Sequence, residues 1–487
     1  MKPCSVLFAW ILLGTTLHAQ PAESLKGFHP LVAALHVHSR YSDGEYEVAD
    51  LGLQAHARKI DVLGLTDSFL TRVRYGVGPF KKLVSKTMDR RSVMELGLDQ
   101  YLDSVEDTQK RFDDVVIVPG LEVAPYYYWK GSWPSNLELH DFDRHMLVFG
   151  VADREALRNL PVIENATWAN TPHQWIQAAG PVLVVLMGLL VAAIALAAGK
   201  SRAYLMLSGL ILTAGFVWAY DAFPFGQLSD PYSGKQDVHA FQRLIDYVAA
   251  HGGLSYWSYP EARYPDIQTS GARMVSRGQP EILGLTDRYE GFEGIYGDTI
   301  TITKPGNLWD QILVEYIQNS RKTWPSVITG IDFHLFKPNN GWAQLDQGIT
   351  ILFTKEKTLG AVLEAMKLGR GYATVQRDPA HRVGLENFGL TTEGSAAISG
   401  ETLNTAGDVD FMTTVDWMPG DRLASSAIAN IKLVRDGELL EEYHSTLPAF
   451  IKRHENLKAG LHYYRIIVEY AGTQILSNPV FGEVRAH

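Results

Sequence analysis

Apolar residues in the first third of the chain alternate between short continuous runs and amphipathic stretches, which predicts strands followed by helices. Residues 33–37 and 60–66 form apolar runs with strand character, and residues 48–59 between them have helical periodicity. Residues 115–119 and 146–149 are further candidates for buried strands. This alternation is typical of parallel strands that are covered by helices on their outer side.

The same alternation resumes after residue 235. Residues 237–251 predict a helix that ends at the Gly-Gly pair 252–253, and residues 254–257 predict a strand directly after it. The pentapeptide Leu-Gly-Leu-Thr-Asp at residues 63–67 recurs at residues 283–287, and we interpret both copies as strand ends of one barrel. The remaining elements predicted before residue 380 are a strand at residues 327–331 and a helix at residues 358–368.

Beyond about residue 380 the pattern changes to short strands of alternating polarity with turn residues between them. Residues 409–417, 428–434 and 463–470 fit the hairpins of a β-sandwich. This last part contains no group of residues that suggests chemistry, so we interpret it as a structural or docking module. The predicted fold class is therefore α/β, a barrel of strands and helices followed by a C-terminal β-sandwich.

Two segments in the middle of the chain are apolar enough to cross a membrane. Residues 175–199 and 203–220 carry no charged side chain, and about 20 apolar residues span the hydrocarbon core of a bilayer. The link Gly199-Lys200-Ser201-Arg202 is basic, which favours the cytoplasmic side and places both flanks outside. Trp175, Trp218 and Tyr220 lie near the predicted outer ends, where aromatic rings favour the headgroup region.

The N-terminus has the pattern of a secretory signal. Met1-Lys2 is followed by an uncharged run to residue 17, and Ala19 is a suitable small residue before the cleavage point. An uncleaved signal anchor is the alternative. Cys4 is the only cysteine, so a mature chain would have neither disulfides nor a cysteine-ligated metal. We expect a protein of the cytoplasmic membrane whose catalytic and β-sandwich domains face the extracytoplasmic, periplasmic side.

Length and charge limit the remaining possibilities. The 487 residues, 46% of them hydrophobic, are too many for one ordinary domain. The net charge is −10 and no basic stripe with interleaved aromatic residues is present, so a nucleic-acid partner is not expected. The predicted divisions are a signal peptide 1–19, a first barrel part 28–165, a transmembrane hairpin 175–220, a second barrel part 235–380 and a β-sandwich 381–487.

The most informative motif is His36-x-His38 at the end of the first strand, followed by Ser42-Asp43-Gly44. Side chains at positions i and i+2 of a strand point to the same side. Two neighbouring imidazoles with a carboxylate five residues later are poorly explained as packing, and they are typical ligands of a divalent metal. The sequence therefore predicts a metal site at the start of the barrel.

Other metal-capable side chains also follow predicted strands. The carboxyl ends of the parallel strands of a barrel meet at one rim, where ligands from distant positions come together. The further candidates are Asp67 at the end of the first pentapeptide, Glu122 in Pro119-Gly120-x-Glu122, His145 before a strand, and Asp332 and His334 in Asp332-x-His334.

These motifs, in this order, resemble those of the polymerase and histidinol phosphatase (PHP) superfamily, which are metal-dependent phosphoesterases with a distorted seven-stranded barrel. The resemblance extends over residues 31–380 once the apolar insertion is left out, and Leu476-Ser477-Asn478-Pro479 is similar to the carbaryl-hydrolase-like branch. It implies a complete site of His36, His38, Glu122 and Asp332, with Glu122 bridging to a second ion at His145. A third position would use Asp43 and His334.

Two positions depart from the family pattern. The family's Thr-Asp-His reads Thr66-Asp67-Ser68 here, and its Ala-His-Pro reads Ser258-Tyr259-Pro260. Both replaced histidines are ligands in the family. A serine hydroxyl and a tyrosine phenol are weak ligands unless they are ionised, and an unperturbed phenol has a pKa of about 10. We therefore expect one or two divalent ions rather than three, with Zn, Mn or Fe as suitable metals.

The expected activity is hydrolysis of a phosphoester or related ester by metal-activated water. Asp67 would act as a proton acceptor or orient a histidine, Tyr259 would donate to a substrate oxygen, and Arg40 is either an anion clamp or an exposed surface arginine. The substrate would be a small molecule or a lipid-linked ester; protein partners are unknown. The alternative is a catalytically degenerate barrel that acts as a sensing or scaffold module. A related amidohydrolase barrel also begins with His-x-His, but Pro119-Gly120-x-Glu122 argues against it.

Overall fold

The computed structural model describes residues 27–77, 81, 84–165, 172–199, 202–222, 229–263, 265–269, 271–296, 300–335, 344–423 and 425–485. The expected signal peptide 1–19, which includes Cys4, lies outside the described residues and stays a prediction.

Strands and helices alternate through the first three quarters of the chain, as the apolar pattern indicates. The strands are β1 (His29–Val37), β2 (Val62–Leu65), β3 (Thr71–Gly76), β4 (Ser85–Arg90), β5 (Val116–Val123), β6 (Tyr128–Lys130), β7 (Glu138–His140), β8 (Met146–Phe149), β9 (Leu254–Trp257), β10 (Ile267–Gln268), β11 (Arg273–Val275), β12 (Gly291–Ile295), β13 (Ser326–Thr329), β14 (Gly348–Thr354) and β15 (Gly371–Val375). The helices are α1 (Val48–Ala57), α2 (Val93–Leu96), α3 (Leu98–Arg111), α4 (Arg154–Arg158), α5 (Pro172–Ala197), α6 (Arg202–Ala222), α7 (Val238–Ala250), α8 (Ile282–Leu285), α9 (Leu308–Ile317) and α10 (Leu359–Leu368).

One large sheet carries the candidate site. Its strand order begins β13-β12-β9-β8-β5-β2-β1-β14-β15, and β1, β2 and β5 run parallel, as do β9, β12 and β13. Beyond β13 the chain returns to β1, because the Phe333 N–H donates to the His36 carbonyl at 3.1 Å and the His38 N–H donates to the Phe333 carbonyl at 2.9 Å. The two ends of this seven-strand segment therefore meet beside the His-x-His motif.

β8 is buried as predicted, but its expected parallel direction is wrong. It runs antiparallel to both β5 and β9. The described chain between β5 and β8 contains the short strands β6 and β7 and no helix. A parallel return requires a crossover connection that is usually helical, so a chain that turns back without one pairs antiparallel.

The second pentapeptide copy also differs from its prediction. Residues 282–285 form helix α8, whereas the first copy lies in and just after strand β2. Pro280 precedes α8, and the strand that belongs to this part of the sheet is β12, six residues further on. The packing around each copy, rather than the five residues themselves, decides its conformation.

The two apolar segments form helices α5 and α6, which pack against each other. The Ser208 hydroxyl donates to the Gly188 carbonyl at 2.8 Å, and a Cβ on Gly215 would lie 2.7 Å from Val185. Most of their large side chains face outward, for example Leu196 and Met206, which are 70% and 71% exposed. Residues 178–197 and 202–222 are by length and composition able to cross a membrane.

The C-terminal part consists of strands, as predicted. They are β16 (Val383–Thr391), β17 (Ala396–Ile398), β18 (Thr402–Thr405), β19 (Asp408–Trp417), β20 (Ile428–Arg435), β21 (Glu438–Thr446), β22 (Ala449–Asn456), β23 (Gly460–Tyr470), β24 (Thr473–Ser477) and β25 (Val480–Val484). The sheet β17-β16-β19-β22 shares a buried apolar cluster with β20 and β23, which continue the large sheet through β15 and β24. Arg465 on β23 also forms a fully buried pair with Asp310 on α9.

Candidate metal centre

The His-x-His motif lies in an irregular part of β1. The register against β2 shifts between Ala34 and Val37, and His36 has a φ of 65°, a value that non-glycine residues rarely adopt. The two side chains nevertheless converge, with ring centroids 5.2 Å apart. The bulge therefore replaces the regular strand expected from the sequence, as bulges often do where a side chain must be re-aimed.

The two imidazoles meet a carboxylate from β5. His36, His38 and Glu122 are all buried, and one ligand atom from each lies within 4.8 Å of the others. His36 Nε2 is 3.1 Å from Glu122 Oε1, and His38 Nε2 is 3.9 Å from Glu122 Oε2. Buried carboxylates and imidazoles gathered this closely are typical of a metal-ligand set.

Asp332 adds a second carboxylate to the same group. Its Oδ1 atom lies 3.4 Å from His36 Nε2 and 3.3 Å from His38 Nε2. Asp332 has a φ of 47°, so it shares with His36 the strained backbone that often occurs at functional sites. We call His36, His38, Glu122 and Asp332 the central cluster.

Two further groups adjoin the central cluster. His145 Nδ1 lies 2.8 Å from Glu122 Oε1, so Glu122 stands between the two histidines His36 and His145. On the other side, Asp43 contacts His38 Nδ1 and His334 Nε2, each at 3.1 Å. All seven side chains predicted as metal ligands are thus brought together.

Glu293, which sequence reasoning missed, contacts the central cluster through His36. It is fully buried on β12, and its Oε1 atom lies 2.6 Å from His36 Nδ1. Its other oxygen accepts hydrogen bonds from the Ser258 hydroxyl at 3.0 Å and from the Tyr259 N–H at 3.3 Å. A carboxylate behind a ligand histidine fixes its tautomer and ring orientation.

Asp67 lies beneath the site and not in it. Its carboxylate accepts hydrogen bonds from the Ser39 N–H and hydroxyl, both at 2.8 Å, and from the Ser42 hydroxyl at 2.7 Å. Because the Ser42 hydroxyl donates to Asp67, its oxygen is left to accept from His38 Nδ1, 3.1 Å away. Asp67 therefore acts on His38 through Ser42.

The two positions that depart from the family pattern have other partners. The Ser68 hydroxyl donates to Glu122 Oε2 at 3.4 Å, and Ser258 donates to Glu293. Tyr259 has a φ of 45°, and its ring stacks on His36 with centroids 5.2 Å apart. Ser68 and Tyr259 thus contact the central cluster directly, and Ser258 contacts the carboxylate of Glu293.

Arg40 is an exposed arginine that pairs with Glu47 at 3.2 Å. A different pair, Arg90 and Arg91, lines the cavity beside the cluster. This cavity has a volume of about 350 Å3 and is also lined by Asp43, Glu122 and His145. The positive side chains of this lining thus come from the end of β4 and the residue after it, which no motif had indicated.

Charge and burial shift the pKa values of the cluster strongly. Burial disfavours every charged form, but the attraction between imidazoles and carboxylates outweighs it. Glu293, Asp332 and Glu122 raise the pKa of His36 to about 10. The histidines His145 and His36 lower the pKa of Glu122, and His334 and His36 lower that of Asp332. In metal-free protein at neutral pH, the imidazole of His36 is therefore protonated. Its positive charge is stabilised by the same carboxylates that would favour a metal cation.

The residues fit a divalent cation by a further criterion. His38 Nε2 is buried and lies 3.3 Å from Asp332 Oδ1, but no contact there has the geometry of a hydrogen bond, although a buried polar atom normally makes one. Both histidines engage their Nδ1 atoms elsewhere, His36 with Glu293 and His38 with Ser42, and this leaves each Nε2 directed at the carboxylates. Imidazole Nε2 atoms held in this way are ready to bind a metal.

No protein-family model matches this sequence, and no curated protein matches it. Solved structures of other proteins are similar at low identity, among them two from bacteria. One, from Bacteroides vulgatus, is a two-domain protein containing a predicted PHP-like metal-dependent phosphoesterase, with 11% identity, a TM-score of 0.38, and coverage of 96% of this chain and 94% of that chain. The other, from Bifidobacterium adolescentis, is provisionally assigned as a metal-dependent phosphoesterase, with 16% identity, a TM-score of 0.27, and coverage of 63% and 90%.

Proposed function

We propose that the protein is a membrane-tethered, metal-dependent hydrolase of a phosphoester or related ester. The observation that carries this proposal is the central cluster, in which four side chains from β1, β5 and the segment after β13 direct imidazole nitrogens and carboxylate oxygens at one another. His36, His38, Glu122 and Asp332 would hold one divalent ion, and Glu122 with His145 would hold a second. Such an ion polarises an ester oxygen and lowers the pKa of a bound water to about 7.

The chain's own residues do the positioning. Glu293 accepts a hydrogen bond from His36 Nδ1, and this keeps the Nε2 atom of His36 directed toward the cluster. Asp67, acting through Ser42, does the same for His38. Arg90 and Arg91 give the adjoining cavity the positive charge that an anionic ester requires. His145 lines the cavity and contacts Glu122 at 2.8 Å, so an ion held by these two side chains would lie beside the space for the substrate.

We further propose a place in the PHP superfamily; the motif Leu476-Ser477-Asn478-Pro479 is the reason to propose its carbaryl-hydrolase-like branch. The seven strands β1, β2, β5, β8, β9, β12 and β13, with the return of the chain at Phe333, support a closed barrel. Alternate residues of β1, including Ala33 and Leu35, share one apolar cluster with residues from β2, β5, β8 and β9, as the interior of a barrel requires.

The location follows from α5 and α6. Two adjacent apolar helices with a basic link favour a hairpin whose loop is cytoplasmic, so the site would face outward. In a Cys4→Ser background, a membrane-impermeant maleimide added to intact cells should label Glu393→Cys and not Lys200→Cys. If Lys200→Cys alone were labelled, the loop would face outward and the proposed orientation would be wrong.

Turnover tests the enzymatic proposal. Full-length protein in detergent micelles, loaded with Zn2+ or Mn2+, should hydrolyse at least one of a phosphate monoester, a phosphodiester and a carboxyl ester. His38→Ala should lose this activity, whereas His56→Ala should keep it because His56 is exposed on α1 and pairs with Asp114. The absence of turnover from protein that holds metal would instead favour the scaffold alternative, which is motivated by Ser68 and Tyr259 at the two positions where the family has histidines.

A further inference from the structure

One face of the two-stranded ribbon β3–β4 carries residues that line two different cavities. In the antiparallel register, Thr71 lies opposite Arg90, Val73 opposite Met88 and Tyr75 opposite Lys86. Residues two apart in a strand point to the same side, so these three pairs share a face. From Thr71 to Tyr75 this face is about 14 Å long, at roughly 3.4 Å per residue.

One end of this face belongs to the metal centre. Thr71 and Arg90 line the cavity of about 350 Å3 that also contains Glu122 and His145. The Arg90 guanidinium lies over the ring of Phe142, 5.7 Å from its centroid, and Arg91 donates to the Arg40 carbonyl. This end offers positive charge next to the candidate ligands, which suits an anionic head group.

The other end opens into an apolar groove of about 450 Å3. Its lining includes Tyr75, Val77, Val84, Met88, Trp129 and Trp133. Several of these side chains are unusually exposed for their type, Trp133 at 60% and Val84 at 58%. Exposed apolar residues that line one groove are typical of a binding site for an apolar group.

The chain segments on both sides of the helical hairpin α5–α6 contact the ribbon or β6. Glu164, eight residues before α5, pairs with Arg74 on β3 at 3.3 Å. After α6, the Trp129 N–H donates to the Pro231 carbonyl and the Tyr232 hydroxyl accepts from the Gly76 N–H at 3.0 Å. Both chain segments that lead to the hairpin therefore attach to the ribbon and to β6, next to the groove.

From this placement, we infer that the substrate is amphiphilic, with its ester head in the metal cavity and a long alkyl or acyl chain along the β3–β4 face in the groove. The inference rests on the proposed function, because it assigns the head group to the metal centre. A bilayer crossed by α5 and α6 would supply such a molecule. The β3–β4 face leads from Arg90 in the metal cavity to Met88 and Tyr75 in the groove, whose lining also contains Lys86.

Chain length and cross-linking test the inference on the full chain in lipid nanodiscs. Butylphosphonate and octylphosphonate would be titrated against zinc-loaded protein, and an octylphosphonate with a terminal diazirine would be photolysed and mapped by mass spectrometry. Octylphosphonate should bind at least about tenfold more tightly, since each methylene that leaves water contributes up to about fourfold. The diazirine should label residues 75–88 or 129–137.

Variants separate the groove from the head-group site. Met88→Gln and Trp133→Gln should remove most of the octyl advantage while the affinity for butylphosphonate stays the same. Leu53→Gln is a matched control because Leu53 is also exposed, at 55%, but lies on α1 outside the groove lining. Equal binding of the two phosphonates, or labelling only outside the groove, would overturn this inference alone, whereas no binding of either would contradict the proposed function.

Discussion

Replacing Glu293 by glutamine isolates the contribution of the carboxylate beneath the metal centre. The substitution keeps the size of the side chain and an oxygen that accepts from His36 Nδ1, now 2.6 Å away. It removes the negative charge, and a hydrogen bond to a charged acceptor is roughly twice as strong as a neutral one. It also places an NH2 group where the Tyr259 N–H and the Ser258 hydroxyl now donate.

The expected result is a lower affinity for the metal with the fold preserved. Loss of a partner behind a ligand histidine typically weakens metal binding by about 10- to 100-fold, which is about 1.4 to 2.8 kcal/mol. The upper part of this range applies here, because Glu293 is fully buried and the neutral imidazole of His36 has no second carboxylate on its Nδ1 side among the described contacts.

A competition titration against a fluorescent zinc chelator measures this affinity directly. Glu290→Gln is the matched control: Glu290 lies three residues earlier, and its carboxylate accepts from the Ser255 N–H, away from the cluster. Glu290→Gln should bind Zn2+ as the unaltered protein does. Equal zinc affinity of Glu293→Gln and the unaltered protein would refute the role given to Glu293.

Three further predictions concern stability and packing. Gly330→Ala should weaken zinc binding as Glu293→Gln does, because a Cβ there would lie 2.2 Å from the Glu293 carboxylate; the same chelator titration checks it. Asp310→Ala should lower the free energy of unfolding by about 3 to 5 kcal/mol in chemical denaturation, since it leaves Arg465 buried and unpaired, whereas the exposed Asp107→Ala should change it by less than about 1 kcal/mol. In metal-free protein, the pKa of His36 is raised from 6.5 to about 10, so the stabilisation from protonated His36 is fully present below pH 6.5 and is lost as the pH rises toward about 10. The melting temperature should therefore fall over that interval. It should fall less in His36→Ala, which lacks the titrating group. A melting temperature that is independent of pH there would contradict the charge balance described for the cluster.

The parts of the site that the sequence predicts well are those with local spacing. His36-x-His38, Pro119-Gly120-x-Glu122 and Asp332-x-His334 each follow an apolar strand, and strand ends bring such residues together. The bulge at His36 could not be derived in this way, because its positive φ depends on hydrogen bonds with Phe333, almost 300 residues away in the chain.

Glu293 shows why a partner beneath the site escapes sequence reasoning. The only local signal is a glutamate inside the apolar stretch Gly291-Phe292-x-Gly294-Ile295, and a buried glutamate is rare unless it is paired. Its partner His36 is 257 residues away, and no periodicity links the two. Arg90 and Arg91 carry no such signal at all, since Arg-Arg before a short helix is also common on surfaces.

The pentapeptide Leu-Gly-Leu-Thr-Asp shows the same limit for the fold. The identical residues 63–65 and 283–285 lie in a strand and in a helix, so the pentapeptide alone could not distinguish the two conformations. The first copy is sandwiched between β1 and β5 in the sheet. The second copy precedes β12, and its Leu283 carbonyl accepts from the buried Tyr289 hydroxyl at 2.7 Å.

The central claim is that His36, His38, Glu122 and Asp332 bind a divalent ion. The most direct measurement is the metal content of the full-length protein after equilibrium dialysis against Zn2+ or Mn2+, determined by inductively coupled plasma mass spectrometry. We predict at least one ion per chain in the unaltered protein and in His56→Ala, and a loss of that ion in Glu122→Gln and His36→Ala. The same metal content in all four proteins, or none in any of them, would contradict the account.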